Sequence, residues 1–290
     1  MSDGILCPIC AGEAKFLGKQ KGVLDAREFI LRVCESCRYS FVENYRSDFE
    51  NIYNEDYYHG HGADPMVDYV YELQNISKTI RNYEWTGVRK IFEQLCPRGG
   101  RWLDFGCGAG GLVRFAVDAG IDAVGFEEGW AANMGRAAGS PILHANELNS
   151  HIGTFDFISA IEVLEHIPNP VEALKKIRLL LKPGGFVFIT TGNSQPWRGN
   201  LLAWGYTKCP DVHVSFYEPA TLSLCMEMAG FEPKEFESLN GIVEIIKFKV
   251  LKTLRIKNKS RFIDALPWGI IAAVVDARHK VSAQPYGVAI

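Results

Sequence analysis

The 290-residue chain has no apolar run long enough to cross a bilayer. Its longest near-continuous apolar stretch, residues 266–275, lies between Asp264 and Asp276 and falls well short of the roughly 20 residues that a spanning helix needs. A buried helix or strand is expected there, with an interface or membrane-surface contact as the alternative. An excess of positive charge is also missing: 31 Lys and Arg against 34 Asp and Glu leave a net charge of −3. That balance argues against a polybasic surface for nucleic acid or anionic lipid. No internal repeat or low-complexity tract is visible. Of eight cysteines only four have paired spacing, and nothing like a signal peptide precedes them, so a disulfide framework is not expected. Cys96, Cys107, Cys209 and Cys225 read as small buried residues. These absences point to a cytoplasmic protein with one domain of ordinary size plus small appendages.

The most informative residues are 102–111. Trp102 to Phe105 read as the end of a buried strand, residues 112–119 read as an apolar helix, and Gly106, Gly108, Gly110 and Gly111 lie between them. Glycines at such a junction allow unusual torsions and let a ligand approach the backbone. In an open α/β sheet this is where a nucleotide-like cofactor sits. Gly106, Gly108 and Gly111 also satisfy the dinucleotide pattern, with Glu127 about twenty residues on as a ribose ligand. Asp104 favours a different cofactor, because an acid there suits a ligand carrying an ammonium and a sulfonium and repels a pyrophosphate. S-adenosylmethionine is the ligand that fits.

Four blocks in order resemble the class I S-adenosylmethionine-dependent methyltransferases: the glycine loop, Val124-Gly125-Phe126-Glu127, Glu162-Val163-Leu164-Glu165-His166 after an apolar strand, and Leu181-Lys182-Pro183-Gly184-Gly185 before another. The resemblance covers residues 99–250. A nicotinamide-dependent Rossmann enzyme would explain the glycines but not the last two blocks. The resemblance implies an α/β fold, a Rossmann-like seven-stranded methyltransferase sheet flanked by helices. It also implies that the cofactor is held by Asp104, Gly106, Cys107, Gly108, Gly110, Glu127 and Glu162. Glu147, after the short third strand, and Asp156 are weaker cofactor candidates.

Cys7 and Cys10, with Cys34 and Cys37, form two C-x-x-C pairs. Four thiolates can close a tetrahedral structural zinc site, leaving no open position for catalysis. A hairpin through residues 29–33 would close the spacer. A disulfide pair or free thiols are the alternatives. Zinc here is expected to staple a module too small to build its own core.

The chain divides into a zinc-ribbon module (1–46), a Tyr-rich and helical lid or linker (47–98), the methyltransferase domain (99–254) and a C-terminal extension (255–290). Val70, Leu73, Ile76 and Ile80 carry helical spacing in the linker, and residues 170–181 read as a helix burying Leu174, Ile177 and Leu181.

Methyl transfer requires an acceptor held in line with the methyl carbon, and a hydroxyl acceptor also requires a base. His166, directly after the fourth strand, and His213, before the helix starting at Glu218-Pro219, are the catalytic candidates. Similar methyltransferases carry a histidine at the second place, where sugar C-methyltransferases use it as a base. Pro210 and Val212 replace the tyrosine and glutamate those enzymes show just upstream, which leans the chemistry toward oxygen. Tyr58, Trp197 and Tyr217 are expected to shape the substrate pocket. The ribbon and Tyr-rich linker resemble bacterial methyltransferases of sugar and natural-product pathways, so the leading expectation is O-methylation of a sugar in a nucleotide-linked or surface-glycan precursor. The alternatives are a quinone or other natural-product precursor, which the block at 162–166 also resembles, an RNA methyltransferase, or a non-catalytic scaffold. A small-molecule partner is expected and nucleic acid is not; a homodimer is left open.

Overall fold

The computed structural model describes residues 4–62, 68–234, 239–279 and 287–289. Two sheets organise them. In the larger, β4 (Arg101–Phe105), β5 (Asp122–Phe126), β6 (Ile142–Leu143), β7 (Phe155–Ile161) and β8 (Leu181–Thr190) run parallel in the order β8-β7-β4-β5-β6. The parallel body therefore has five strands rather than seven. Two short strands extend the β8 edge: β11 (Gly287–Ala289) is antiparallel to β8, and β10 (Glu232–Lys234) is antiparallel to β11. Part of the expected C-terminal extension thus joins the sheet; residues 280–286 and 290 lie outside the described residues.

Strand alternation splits the core between the two faces. Trp102, Phe157 and Phe188 turn to one side and meet Trp85, Val88 and Ile91 of α3 (Arg81–Leu95), Leu112 and Ala116 of α4 (Gly111–Asp118), and Ile245 of α8 (Ile242–Thr253). Leu103, Ile158 and Val187 turn to the other and meet Leu174 and Ile177 of α6 (Pro170–Leu180) and Leu222 and Met226 of α7 (Pro219–Met228). α5 (Gly129–Ala137) follows β5. The apolar stretch at 266–275 enters α10 (Trp268–His279), after the short α9 (Arg261–Asp264); Trp268 is buried with Tyr83, Phe248 and Leu251, while Ile270 is exposed. The linker pattern is interrupted: α2 (Tyr69–Gln74) ends at Asn75, and Ile80 caps α3. Val67, where the helical patterning of residues 67–95 is expected to begin, lies outside the described residues. Among the described residues no helix is long and apolar enough to cross a membrane.

The smaller sheet is β1 (Ala14–Lys21), β2 (Glu28–Cys34), β3 (Ser40–Val42) and β9 (Ser215–Phe216), all antiparallel. Its fourth strand comes from the distant segment that carries His213. The four cysteines lie at one end of this sheet, and α1 (Phe49–Ile52) leads from it into the tyrosine cluster.

Candidate active site

β4 and β5 end side by side, with Phe105 opposite Phe126, so the glycine loop and Glu127 leave the sheet at the same edge. Gly106 and Gly108 have φ of 76° and 54°, the left-handed region that favours glycine. A Cβ at Gly108 would lie 2.8 Å from the Tyr69 ring. The Gly108 N–H donates to Glu127 Oε2 at 3.1 Å, and the Glu128 N–H donates to Oε1 at 2.9 Å. Beneath the loop, the Trp102 indole donates to Ser159 Oγ at 2.8 Å, and that hydroxyl donates to Asp104 Oδ1 at 2.6 Å. Burial pushes the Asp104 carboxyl up to about 7 against the Ser159 hydrogen bond. Burial likewise pushes Glu127 up to about 7, opposed by its two backbone donors.

A second group faces this loop across one cavity, which Asp104, Gly106, Cys107, Glu162, Glu165, His166, Tyr206 and His213 all line. Glu162 follows the last residue of β7 and has φ 55°. Its carboxylate accepts hydrogen bonds from Lys249 Nζ at 2.7 Å, Thr190 Oγ1 at 3.1 Å and the Tyr206 hydroxyl. Burial alone would raise its pKa, but the Lys249 charge and these donors outweigh burial and hold it ionised. Glu165 is pushed up to about 8 by burial and then by the Glu162 charge; Thr191 donates to its Oε2 at 2.8 Å, while Oε1 is buried without a hydrogen-bond partner.

The two histidines, 47 positions apart, come together with ring centroids 5.0 Å apart. His166 Nδ1 lies 2.9 Å from the Val212 carbonyl and 3.0 Å from the Tyr53 hydroxyl. His213 Nδ1 lies 3.1 Å from the Tyr206 carbonyl. A carbonyl only accepts, so each Nδ1 carries a proton. Burial, then the neighbouring His213, depresses His166 to about 3, so it is neutral at physiological pH. Trp204, Tyr206 and His213 form a column, with successive centroids 4.7 and 4.5 Å apart and interplanar angles of 11° and 18°. Glu165, His166 and His213 bring an oxygen and two ring nitrogens within 4.8 Å of one another, a donor set that could also hold a metal ion.

Five expected site residues stand elsewhere. Tyr58 is buried and stacked on Trp130 at 5.8 Å, while its neighbours Tyr57 and Tyr69 line the cavity. Trp197 is 39% exposed on a 3-10 turn, next to Arg198, which pairs with Glu218; Tyr206 turns inward from that segment instead. Tyr217 is a core residue whose hydroxyl donates to the Leu164 carbonyl at 2.9 Å. Glu147 is exposed and accepts from the His144 N–H at 2.7 Å, closing a surface turn. Asp156 lies at the entering end of β7, the edge opposite the glycine loop, where it binds Lys182 and the Arg101 N–H.

Sequence reasoning missed a buried charge group on the cavity wall. Arg81 donates to Glu72 at 3.2 Å and Glu84 at 2.7 Å. Glu84 Oε1 is buried without a hydrogen-bond partner, and Lys252 also lines the cavity. The available signal was the Arg81–Glu84 pair, three apart at the start of the helix beside Tyr83 and Trp85.

At the ribbon, Cys7 and Cys37 sulfurs are 3.6 Å apart, Cys10 and Cys34 sulfurs are 3.4 Å apart, and all four lie within 4.8 Å of one another. Tetrahedral zinc with sulfurs at about 2.3 Å places them roughly 3.8 Å apart, so the cluster fits that ion.

The open parallel sheet and the acid-flanked glycine loop define a class I S-adenosylmethionine-dependent methyltransferase. The model of the methyltransferase domain family matches residues 78–235, more than half of the chain, and the chain belongs to that family. A ubiquinone biosynthesis O-methyltransferase of Dechloromonas aromatica is 31% identical over 167 residues, covering 52% of this chain and 72% of that protein. The Aeromonas salmonicida protein of the same name is 28% identical over 182 residues, covering 57% and 76%. A solved S-adenosylmethionine-dependent methyltransferase from Archaeoglobus fulgidus is 18% identical with a TM-score of 0.44, covering 76% of this chain and 96% of that one.

Proposed function

We propose that the enzyme transfers a methyl group to a phenolic hydroxyl on a quinone precursor. The observation that carries this is the likeness to ubiquinone biosynthesis O-methyltransferases over about three quarters of their length; none of the relatives reported above supports the sugar expectation. The geometry is compatible. A flat ring suits the Trp204–Tyr206–His213 column, and a phenol with a pKa near 10 is within reach of an imidazole base. His213 Nε2, or His166 Nε2 beside it, takes the hydroxyl proton as the oxygen attacks the methyl carbon. On the cofactor side, residues 106–110 hold the ligand against the backbone, Glu127 accepts from the ribose hydroxyls, Asp104 faces the ammonium and Arg81 faces the carboxylate. One zinc at Cys7, Cys10, Cys34 and Cys37 supplies structure.

A second reading rests on the three donors at Glu165, His166 and His213 and the unpartnered Glu165 Oε1. There a divalent cation would hold the acceptor oxygen and lower its pKa. Activity lost on dialysis against a chelator and regained with Mg²⁺, while the cysteine-bound zinc is retained, selects this reading over the imidazole alone. The main test is a methyl-transfer screen with labelled cofactor over short-chain prenylated catechols and nucleotide sugars. Methylated catechol is the expected product; turnover confined to the nucleotide sugars overturns the proposal.

A further inference from the structure

We infer that the cysteine ribbon is the scaffold of the acceptor side of the active site, so that its metal governs acceptor handling while leaving cofactor binding alone. This rests on the zinc and acceptor assignments proposed above.

The segment carrying Trp204, Tyr206 and His213 touches the ribbon along its length. Gln20 Nε2 donates to the Leu202 carbonyl at 2.6 Å, the Val23 N–H donates to Asp211 Oδ2 at 2.5 Å, and the Val42 N–H donates to the Val214 carbonyl at 2.9 Å. Ser40 and Phe41 of β3 then pair with Phe216 and Ser215 of β9. The apolar contact is equally continuous: Phe29, Leu31 and Val42 form one buried cluster with Leu201, Trp204, Val214 and Phe216.

A series of hydrogen bonds runs from the second knuckle to the backbone beside both histidines. The Cys34 N–H donates to the Tyr39 carbonyl at 2.8 Å, so the second knuckle sets Tyr39. Ser215 Oγ donates to the Ile167 carbonyl at 2.6 Å, which leaves the Tyr39 hydroxyl, 2.6 Å away, as donor to Ser215 Oγ. Ile167 follows His166, and Ser215 stands two residues after His213. The Val214 N–H closes the link by donating to the Glu165 carbonyl at 2.8 Å. The loop's direct contacts come from other residues: Val163 and Tyr69 back Gly106 and Gly108, and Glu127 holds the Gly108 N–H. The ribbon reaches this side only through the shared core, where Cys34 and Tyr39 are buried in one cluster with Leu103 of β4. Loss of the metal should therefore loosen one wall of the cavity and spare the other.

The test is hydrogen-exchange mass spectrometry on the full-length enzyme before and after zinc removal, with calorimetric titration of S-adenosylhomocysteine. Expected are about one zinc per chain, exchange at residues 201–217 faster by at least ~10-fold on removal, unchanged exchange at 101–127, and S-adenosylhomocysteine affinity within about twofold. Tyr39→Phe keeps all four cysteines and the aromatic ring, so it should retain zinc. It should speed exchange at 213–217 by about fivefold, the equivalent of one hydrogen bond, and lower kcat/KM for a prenylated catechol probe with cofactor affinity unchanged. Purified enzyme without zinc, unchanged protection at 201–217, or cofactor affinity lost together with the metal would each overturn the inference. The exchange and calorimetric readouts need no acceptor, so they stand even if no catechol is methylated.

Discussion

Cofactor binding should expel about one proton at pH 7. Asp104 and Glu127 are both pushed to about 7, chiefly by burial, so each is near half-protonated there. In the proposed binding mode, the ammonium of the cofactor beside Asp104 and the ribose hydroxyls donating to Glu127 would both favour the ionised carboxylates. Binding therefore draws both pKa values down, and each group gives up about half a proton at pH 7. Near pH 8.5 the release should vanish. Near pH 5.5 it should approach two protons, and affinity should fall by up to ~100-fold per pH unit. The same shifts fix the sign of the ligand-free stability. Between about pH 4 and pH 7 the folded state holds protons on these acids that the unfolded chain has released, so their contribution to stability is lost as pH rises through that window. Calorimetry at pH 7 in buffers of different ionisation enthalpy measures the release from the slope of observed against buffer enthalpy, and Asp104→Asn should halve it. A heat independent of buffer, or net proton uptake, would refute the assignment of these acids to the cofactor.

His213→Ala should lower turnover by roughly 10²–10⁴-fold with S-adenosylhomocysteine affinity little changed; if His166→Ala collapses instead, the two imidazoles exchange roles. Gly108→Ala places a Cβ 2.8 Å from the Tyr69 ring at a φ of 54°. Left-handed strain of about 1–2 kcal/mol plus that clash should cut cofactor affinity more than tenfold while the circular dichroism spectrum is retained. Tyr206→Phe keeps the stack on His213 but removes a donor to the half-buried Glu162 carboxylate. It should cost about 1–3 kcal/mol of stability by urea unfolding, and a loss below ~0.5 kcal/mol would show that Lys249 and Thr190 suffice.

The grouping of the proposed cofactor residues was legible because its geometry is local. Asp104, Gly106 and Gly108 sit on one strand–loop–helix junction, and Glu127 ends the adjacent parallel strand. The position of Asp156 was legible too, and was misjudged. It enters a seven-residue strand whose far end is Ile161, which puts it about 20 Å from Glu162 at the usual rise per residue. The lid tyrosines could not be resolved in this way. Tyr57 and Tyr58 share a single π-type turn, Tyr57–His61, so their facing depends on a helical phase that a run of aromatics does not reveal. Tyr57 turns to the cavity and Tyr58 to Trp130.

The acceptor half depends on contacts that sequence spacing does not encode. His166 and His213 meet because the Val214 N–H reaches the Glu165 carbonyl and Ser215 Oγ reaches the Ile167 carbonyl. Two C-x-x-C pairs indicate a metal knuckle, but nothing in their spacing says that the third ribbon strand will find its last partner at Ser215 and Phe216. Once that pairing forms, the ribbon is no longer an appendage with its own small core. Cys7, Ile9, Tyr39 and Phe41 are buried in the same cluster as Leu164, Tyr217 and Leu222. On the assignments proposed above, a metal that closes the knuckles would order the segment carrying His213, while the proposed cofactor residues leave the ends of β4 and β5, and Glu162, Glu165 and His166 reach the cavity from the loop after β7 of the same large sheet.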